Sequence, residues 1–420
     1  MSSSQLSSAQ ERPADGTQTT SRPAKIGLAC AGGGIEGAVY EIGALCALEE
    51  VIEGVDFTNA HVYVGVSAGA IITSSLANKI SPRQMSRAIL SRQPRVHPIT
   101  PSTFFTPAYR EYVQRVASAP GMMASMLWDY AWHPGDISIG GSLSRITELL
   151  PTGVFSNAPI GRYMKRNFDY EGRSDCFSDL KTKLRIVATD LDSSKSVIFG
   201  GPGLEEVPIS LAVQASTALP AIYTPVEIRQ RYYIDGVAQR TVHASVAMDE
   251  GADFTICINP IVPYEAVEAA AGAGDPLQEM LVKRGLPAVL SQTFRTMIHS
   301  RMNVGISRYK YQQSYAGRDI LVIEPKTTDY RMFFTNVFSF SSRQDVCEYA
   351  YQSTRAFLRE HADDLEKRLQ KHGLGLRREA LVQPDRTLYK HPAQPPGHAL
   401  QTARDLSKTL RQLDKVLEKI

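Results

Sequence analysis

From Lys25 onward, short apolar runs alternate with segments whose apolar residues recur every three or four positions, which is the pattern of strands feeding helices. Lys25–Cys30 is expected as a strand that runs through Ala31-Gly32-Gly33-Gly34-Ile35-Glu36-Gly37 into a helix with an apolar face of Ala38, Ile42, Leu45, Cys46 and Ile52. A second strand, His61–Val64, runs into Gly65-Val66-Ser67-Ala68-Gly69 and a helical Ala70–Ala77. The rhythm stops over residues 80–180, which are rich in Pro, Met and aromatics and read as an inserted helical section. It resumes with strands Leu184–Thr189 and Ser196–Phe199, a helix Pro208–Leu219, and Tyr232–Ile234 ending at Asp235-Gly236. Helix Arg240–Glu250, strands Phe254–Ile258 and Asp319–Ile323, and a long helix Arg343–Lys371 complete the body. This alternation predicts an α/β fold: a mostly parallel sheet with helices on both faces.

Composition narrows the class. The chain has 420 residues, 43% hydrophobic and 21% charged, with a formal net charge of +3, so it is globular and gives no ground for nucleic acid as a partner. Five cysteines (Cys30, Cys46, Cys176, Cys257, Cys347) stand singly, which fits reduced thiols better than a disulfide framework. Met1 to Ala24 is rich in Ser, Thr and Gln, expected to be disordered, and lacks the apolar stretch of a signal peptide. No segment has the ~20 uncharged apolar residues that span a bilayer. The expectation is a cytoplasmic protein, peripheral where it meets a membrane or a lipid or polymer granule.

Three short patterns carry chemistry. Gly65-Val66-Ser67-Ala68-Gly69 places a serine on a strand-to-helix turn, where flanking glycines allow a sharp bend and the helix N-terminus faces developing negative charge. Gly32-Gly33-Gly34-Ile35-Glu36-Gly37 fits two readings. One is a dinucleotide loop, with Glu53 near the distance of a ribose-binding acid. The other turns backbone N–H groups toward an oxyanion. Glu53 ends the first helix rather than a second strand, and a serine follows one strand later, so the oxyanion loop is the stronger reading. A hydroxyl nucleophile also needs a base. No histidine follows a strand in a Gly-rich turn, whereas Asp235 does, although Asp-Gly alone is an ordinary turn. His243 is a further candidate for a triad, but its place within Val242–Met248 suits a helix histidine.

Taken in order, Gly32–Gly37, Gly65–Gly69 and Asp235–Val237 resemble the glycine loop, G-x-S-x-G elbow and Asp-Gly-Gly/Ala motif of the patatin-like phospholipase family. Val187–Leu191, Ala215-Ser216-Thr217-Ala218-Leu219-Pro220 and Gly251-Ala252-Asp253 extend the resemblance over residues 25–260. It implies a three-layer α/β/α sandwich and a serine esterase of lipids, of phospholipase A, lysophospholipase or acylglycerol lipase type. In that reading Ser67 is the nucleophile and Asp235 the proton acceptor. Gly32, Gly33 and Gly34 form the oxyanion hole, Gly37, Gly65, Gly69 and Gly236 support the turns, and no metal or cofactor takes part. Two positions depart from the family: Glu36 stands where Arg or Lys is usual, and Val237 where Gly or Ala is. Glu36 keeps open a second function, a catalytically weak patatin-fold protein that binds a lipid or granule surface.

The remainder partitions as a catalytic domain over 25–325, a helical extension over 326–372, and a basic linker with an amphipathic helix over 373–420. The insertion holds Trp128 and Trp132, expected in a helical core or alternatively an acyl-binding wall. Met332–Phe340 is a second aromatic cluster. Residues 365–420 carry 12 Lys and Arg against 6 Asp and Glu, and Ala403, Leu406, Leu410, Leu413, Leu417 and Ile420 form a heptad stripe suited to self-association.

Overall fold

The computed structural model describes residues 24–90, 100–132, 150–265, 281–328, 340–383 and 386–389. The Met332–Phe338 run, the 399–420 stripe and residues 1–23 lie outside them. In chain order the framework is β1 (Ile26–Cys30), α1 (Gly34–Val51), β2 (Val62–Val66), α2 (Ala68–Ala77), α3 (Tyr109–Trp132), α4 (Ala158–Phe168), β3 (Lys183–Asp190), β4 (Lys195–Phe199) and α5 (Ile209–Ser216). It continues with β5 (Val226–Ile228), β6 (Arg231–Asp235), α6 (Ala244–Asp249), β7 (Phe254–Ile258), α7 (Leu286–Tyr311), β8 (Asp319–Ile323), α8 (Phe340–Glu360) and α9 (Ala362–Lys371).

Strands β8, β7, β1, β2 and β3 lie side by side and parallel, and β4 runs antiparallel along the outer edge of β3. Strands β1, β2 and β7 are buried at every position, as strands covered on both faces must be. Two apolar clusters pack the faces, one around α1, α2 and α8 and the other around α6 with Met302 of α7. The fold is thus the expected α/β sandwich with a mostly parallel sheet.

Several elements differ from the sequence pattern. Helix α1 is buried around most of its circumference rather than along one stripe, because α8 covers the side away from the sheet. Its buried acid Glu50 accepts from the Tyr351 hydroxyl at 2.9 Å and pairs with Arg386 at 2.7 Å. Ile52 leaves the helix and pairs with Leu376. The long helix expected over 343–371 is two, broken at His361, and the helix expected over 240–250 begins only at Ala244. Within the insertion, Trp128 and Trp132 are not core: they are 67% and 64% exposed, with ring centroids 5.6 Å apart. Helix α7 was not legible from periodicity, because it is apolar on two opposite faces.

The closest helix contact is at Gly43, where an added Cβ would stand 2.2 Å from the Cys347 carbonyl oxygen. Gly43→Ala must push α8 off α1. We expect a loss of about 1–3 kcal/mol, read as a lower midpoint in urea unfolding with an unchanged slope.

Candidate active site

The site is built where two strands meet end to end. Strand β2 climbs parallel to β3, with Val66 opposite Val187. Strand β6 descends antiparallel on the same edge of β3, with Asp235 opposite Ala188. The other edge is occupied by β4 from Ile186 to Asp190, across the changeover, so β2 and β6 divide one edge between them. Ser67, the residue after Val66, therefore comes level with Ala188, the partner of Asp235. The base was expected at the end of a strand feeding the same sheet; the structure adds that its strand arrives from the opposite direction.

Ser67 occupies a strained turn with φ 53° and ψ −120°, a conformation costing of order 1–3 kcal/mol that the surroundings must hold. Its N–H donates to the Ser216 Oγ at 2.8 Å, and that hydroxyl donates to the Val187 carbonyl at 2.6 Å. The last residue of α5 thus ties the elbow to β3. Asp235 is equally fixed. Its N–H donates to the Ala218 carbonyl at 2.9 Å, its Oδ1 accepts from the Val237 N–H at 2.9 Å, and the Thr189 hydroxyl donates to its carbonyl at 3.2 Å. Burial pushes the Asp235 carboxyl up to about 7, against the opposing pull of the nearby Ser67 side chain and the Val237 N–H.

The glycine loop closes over this pair. A Cβ on Gly32 would stand 2.4 Å from Val237 Cγ2 and 3.2 Å from Ser67 Cβ, so only glycine lets the loop lie against the elbow. Gly33 and Gly34 follow at φ 143° and 61°, a backbone path other residues rarely take. The N–H of Ala31 donates to Ile258, but those of Gly32, Gly33 and Gly34 have no acceptor among the described residues. The Ser67 N–H is consumed by Ser216, so these loop groups, together with the Ala68 N–H at the start of α2, are the neighbouring donors without an acceptor among the described residues. Gly37 donates to the Gly33 carbonyl, Gly69 to the Ala31 carbonyl at 2.8 Å, and Gly65 and Gly236 lie against the α2 start and Val187, so every expected glycine borders the site.

Two charged groups complete the picture. Glu36, in the first turn of α1, is pushed up to about 7 by burial, offset by Arg295 of α7; its Oε1 has no hydrogen-bond partner. His243 is buried and held down to about 4, chiefly by burial, so it is neutral. Its Nε2 has no hydrogen-bond partner, and no hydrogen bond links the ring to Ser67 or Asp235. Rather than sitting inside a helix, it caps α6. Glu53, the acid of the dinucleotide reading, lies beyond the far end of α1 and pairs with Gly375. No group of three or more metal-ligating side chains occurs among the described residues.

A family model described as patatin-like phospholipase matches residues 28–248, a little over half of the chain. The chain belongs to that family. Among solved structures, VipD from Legionella pneumophila is 16% identical, with 81% of this chain and 68% of that chain covered and a TM-score of 0.36. ExoU of Pseudomonas aeruginosa, solved with SpcU, is 16% identical, with 86% and 74% covered and a TM-score of 0.25.

Sequence reasoning on this patatin domain missed two residues. Ser216 was visible only as part of Ala215–Pro220, with nothing to mark the hydroxyl as the anchor of the elbow. Arg295 lies in α7, beyond the matched segment, and no local pattern connects it to Glu36.

Removing the anchor should be costly. Ser216→Ala leaves the Ser67 N–H without its acceptor, so we expect a loss of about 1–3 kcal/mol in chemical unfolding and a fall in kcat that exceeds any change in KM. Asp235 gives a test of opposite sign. Its folded pKa lies above the unfolded value, so its contribution to stability is present below about pH 4 and lost as pH rises to about 7. Asp235→Asn should therefore be more stable than the parent above pH 7, by up to ~4 kcal/mol, with the gap closing toward pH 4 in thermal-shift measurements.

Proposed function

We propose that this protein hydrolyses acyl esters of lipids through Ser67 and Asp235. The observation that supports this most strongly is the meeting of the β2 and β6 ends on one edge of β3, which brings Ser67 level with the buried Asp235 carboxyl, pushed up to about 7, beside three backbone donors with no acceptor among the described residues. Family membership supplies the substrate class, lipid acyl esters, presented at a membrane or lipid-body surface.

In the forward step the Ser67 oxygen attacks the ester carbonyl carbon while its proton passes to Asp235. The carbonyl oxygen becomes an oxyanion received by the N–H groups of Gly32, Gly33 and Gly34, assisted by the positive end of α1. Collapse breaks the carbon–oxygen bond to the alcohol, which leaves with the proton from Asp235 and leaves an acyl ester on Ser67. Water then attacks that ester, giving its proton to Asp235. The second collapse releases the fatty acid and returns the proton to Ser67. A buried base near 7 matches a proton acceptor at neutral pH.

A second reading keeps the fold but not the turnover: a lipid- or granule-surface binding protein. It is supported by Glu36, which places an ionisable acid where oxyanion charge would gather.

One experiment separates the two. A fluorophosphonate probe should label Ser67, located by mass spectrometry, and Ser67→Ala and Asp235→Asn should each lower hydrolysis of p-nitrophenyl esters by about 10³-fold or more with the fold intact. The parent's kcat/KM should rise with pH through about 7 as Asp235 ionises. An unlabelled serine with no turnover would leave the binding reading; retained activity in either variant would remove the dyad.

A further inference from the structure

Helix α7 is amphipathic twice over. Toward the body, Met302 is buried, Ile298, Ile306 and Tyr309 pack against the α6 cluster, and Gln292 pairs with both backbone groups of Tyr264 at 3.1 and 2.7 Å. At 3.6 residues per turn these side chains occupy one half of the helix. The opposite arc, roughly 140° wide, carries Leu286, Val289, Leu290, Phe294, Met297 and Val304, exposed by 69, 44, 45, 58, 56 and 53%. Six large apolar side chains on one continuous exposed face exceed the scattered singles of an ordinary surface.

Charge identifies what covers that face. Residues 281–311 contain six Lys and Arg and no Asp or Glu. Exposed Arg301 and Arg308 fall inside the apolar arc, with no carboxylate partner among the described residues. A second copy would set this cationic face against itself. The 390–420 segment, with six Lys and Arg against three Asp and Glu, is of the same sign. A basic helix with a broad apolar face, lying flat, is suited to the interface of an anionic bilayer, where apolar residues enter the acyl boundary and arginines meet the headgroups.

We infer that α7 is an interfacial docking helix for anionic lipid membranes. Choosing lipid over an acidic protein rests on the proposed lipid hydrolase function. The placement has a further consequence. The buried side of the same helix supplies Arg295, whose charge acts on Glu36 at the glycine loop, so one helix carries both the docking face and a group that faces the loop.

The test uses the full chain as Ser67→Ala, so that binding is read without turnover. Sedimentation with phosphatidylcholine vesicles is compared with vesicles containing phosphatidylserine. Strong binding is expected only to the second. It should fall about 30-fold in Arg301→Gln/Arg308→Gln, and by at least ten-fold in Phe294→Asp/Met297→Asp. In a Ser67 background, hydrolysis of a soluble monomeric p-nitrophenyl ester by both double variants should stay within about two-fold of the parent. Equal binding to both vesicle types, or undiminished binding by both variants, overturns the inference. So does a parent dimer that the apolar variant turns into monomer in analytical ultracentrifugation. If the parent cleaves no ester yet binds as described, the hydrolase reading fails and the docking helix stands.

Discussion

Everything at the site depends on how the long edge of β3 is shared. Five of its residues pair with β2 and three with β6, and the changeover falls between Val187 and Ala188. A parallel strand alone would deliver Ser67 to the top of the sheet with no base beside it. An antiparallel return strand alone would deliver Asp235 with nothing to activate. Because the two strands approach along one line, their C-terminal ends abut. The backbone ladder of β3 then sets the spacing between serine and aspartate, as side-chain packing alone could not. Ser216 reinforces the junction by bonding to both sides of it, to the Ser67 N–H and the Val187 carbonyl.

The electrostatics follow from the same burial. Asp235 sits under the loop with the Val237 N–H as donor to its carboxylate, and burial outweighs that donor and the neighbouring Ser67 side chain. Glu36 is in a similar state with a distant cation. Glu41, one turn further along α1, is fully buried with neither oxygen hydrogen-bonded, and burial holds it well above the usual carboxylate range. Three carboxyls around one loop thus avoid carrying full negative charge together. That leaves the helix N-terminus and the free N–H groups as the dominant local field, which favours an incoming oxyanion.

The sequence carried the fold where local pattern and tertiary environment agree. The strands of the parallel sheet are continuous apolar runs, and the three glycine-flanked turns announce themselves by composition. The positions of Ser67 and Asp235 at strand ends were legible for that reason. What stayed hidden is long-range. The direction of β6 depends on pairing partners, not on its own five residues. The breadth of burial on α1 depends on α8. Ser216 acts through a hydroxyl whose value exists only once Val187 and Ser67 lie on either side of it. Helix α7 escaped notice because its inner and outer faces are both apolar, which flattens the periodicity that normally reveals a helix.

The uneven division of the β3 edge also sets an order of failure. The strand leading to Ser67 lies in the interior of the sheet, with four residues paired to β1 and all five to β3. The strand ending in Asp235 is held to β3 by three residues, to the short β5 by three with Tyr233 shared between the two, and by the Arg231–Asp190 contact at 2.6 Å. Segments with fewer backbone ties open at lower free energy than the core. On warming, the Asp235 end of β6 is therefore expected to open before the elbow, the loop and the parallel sheet.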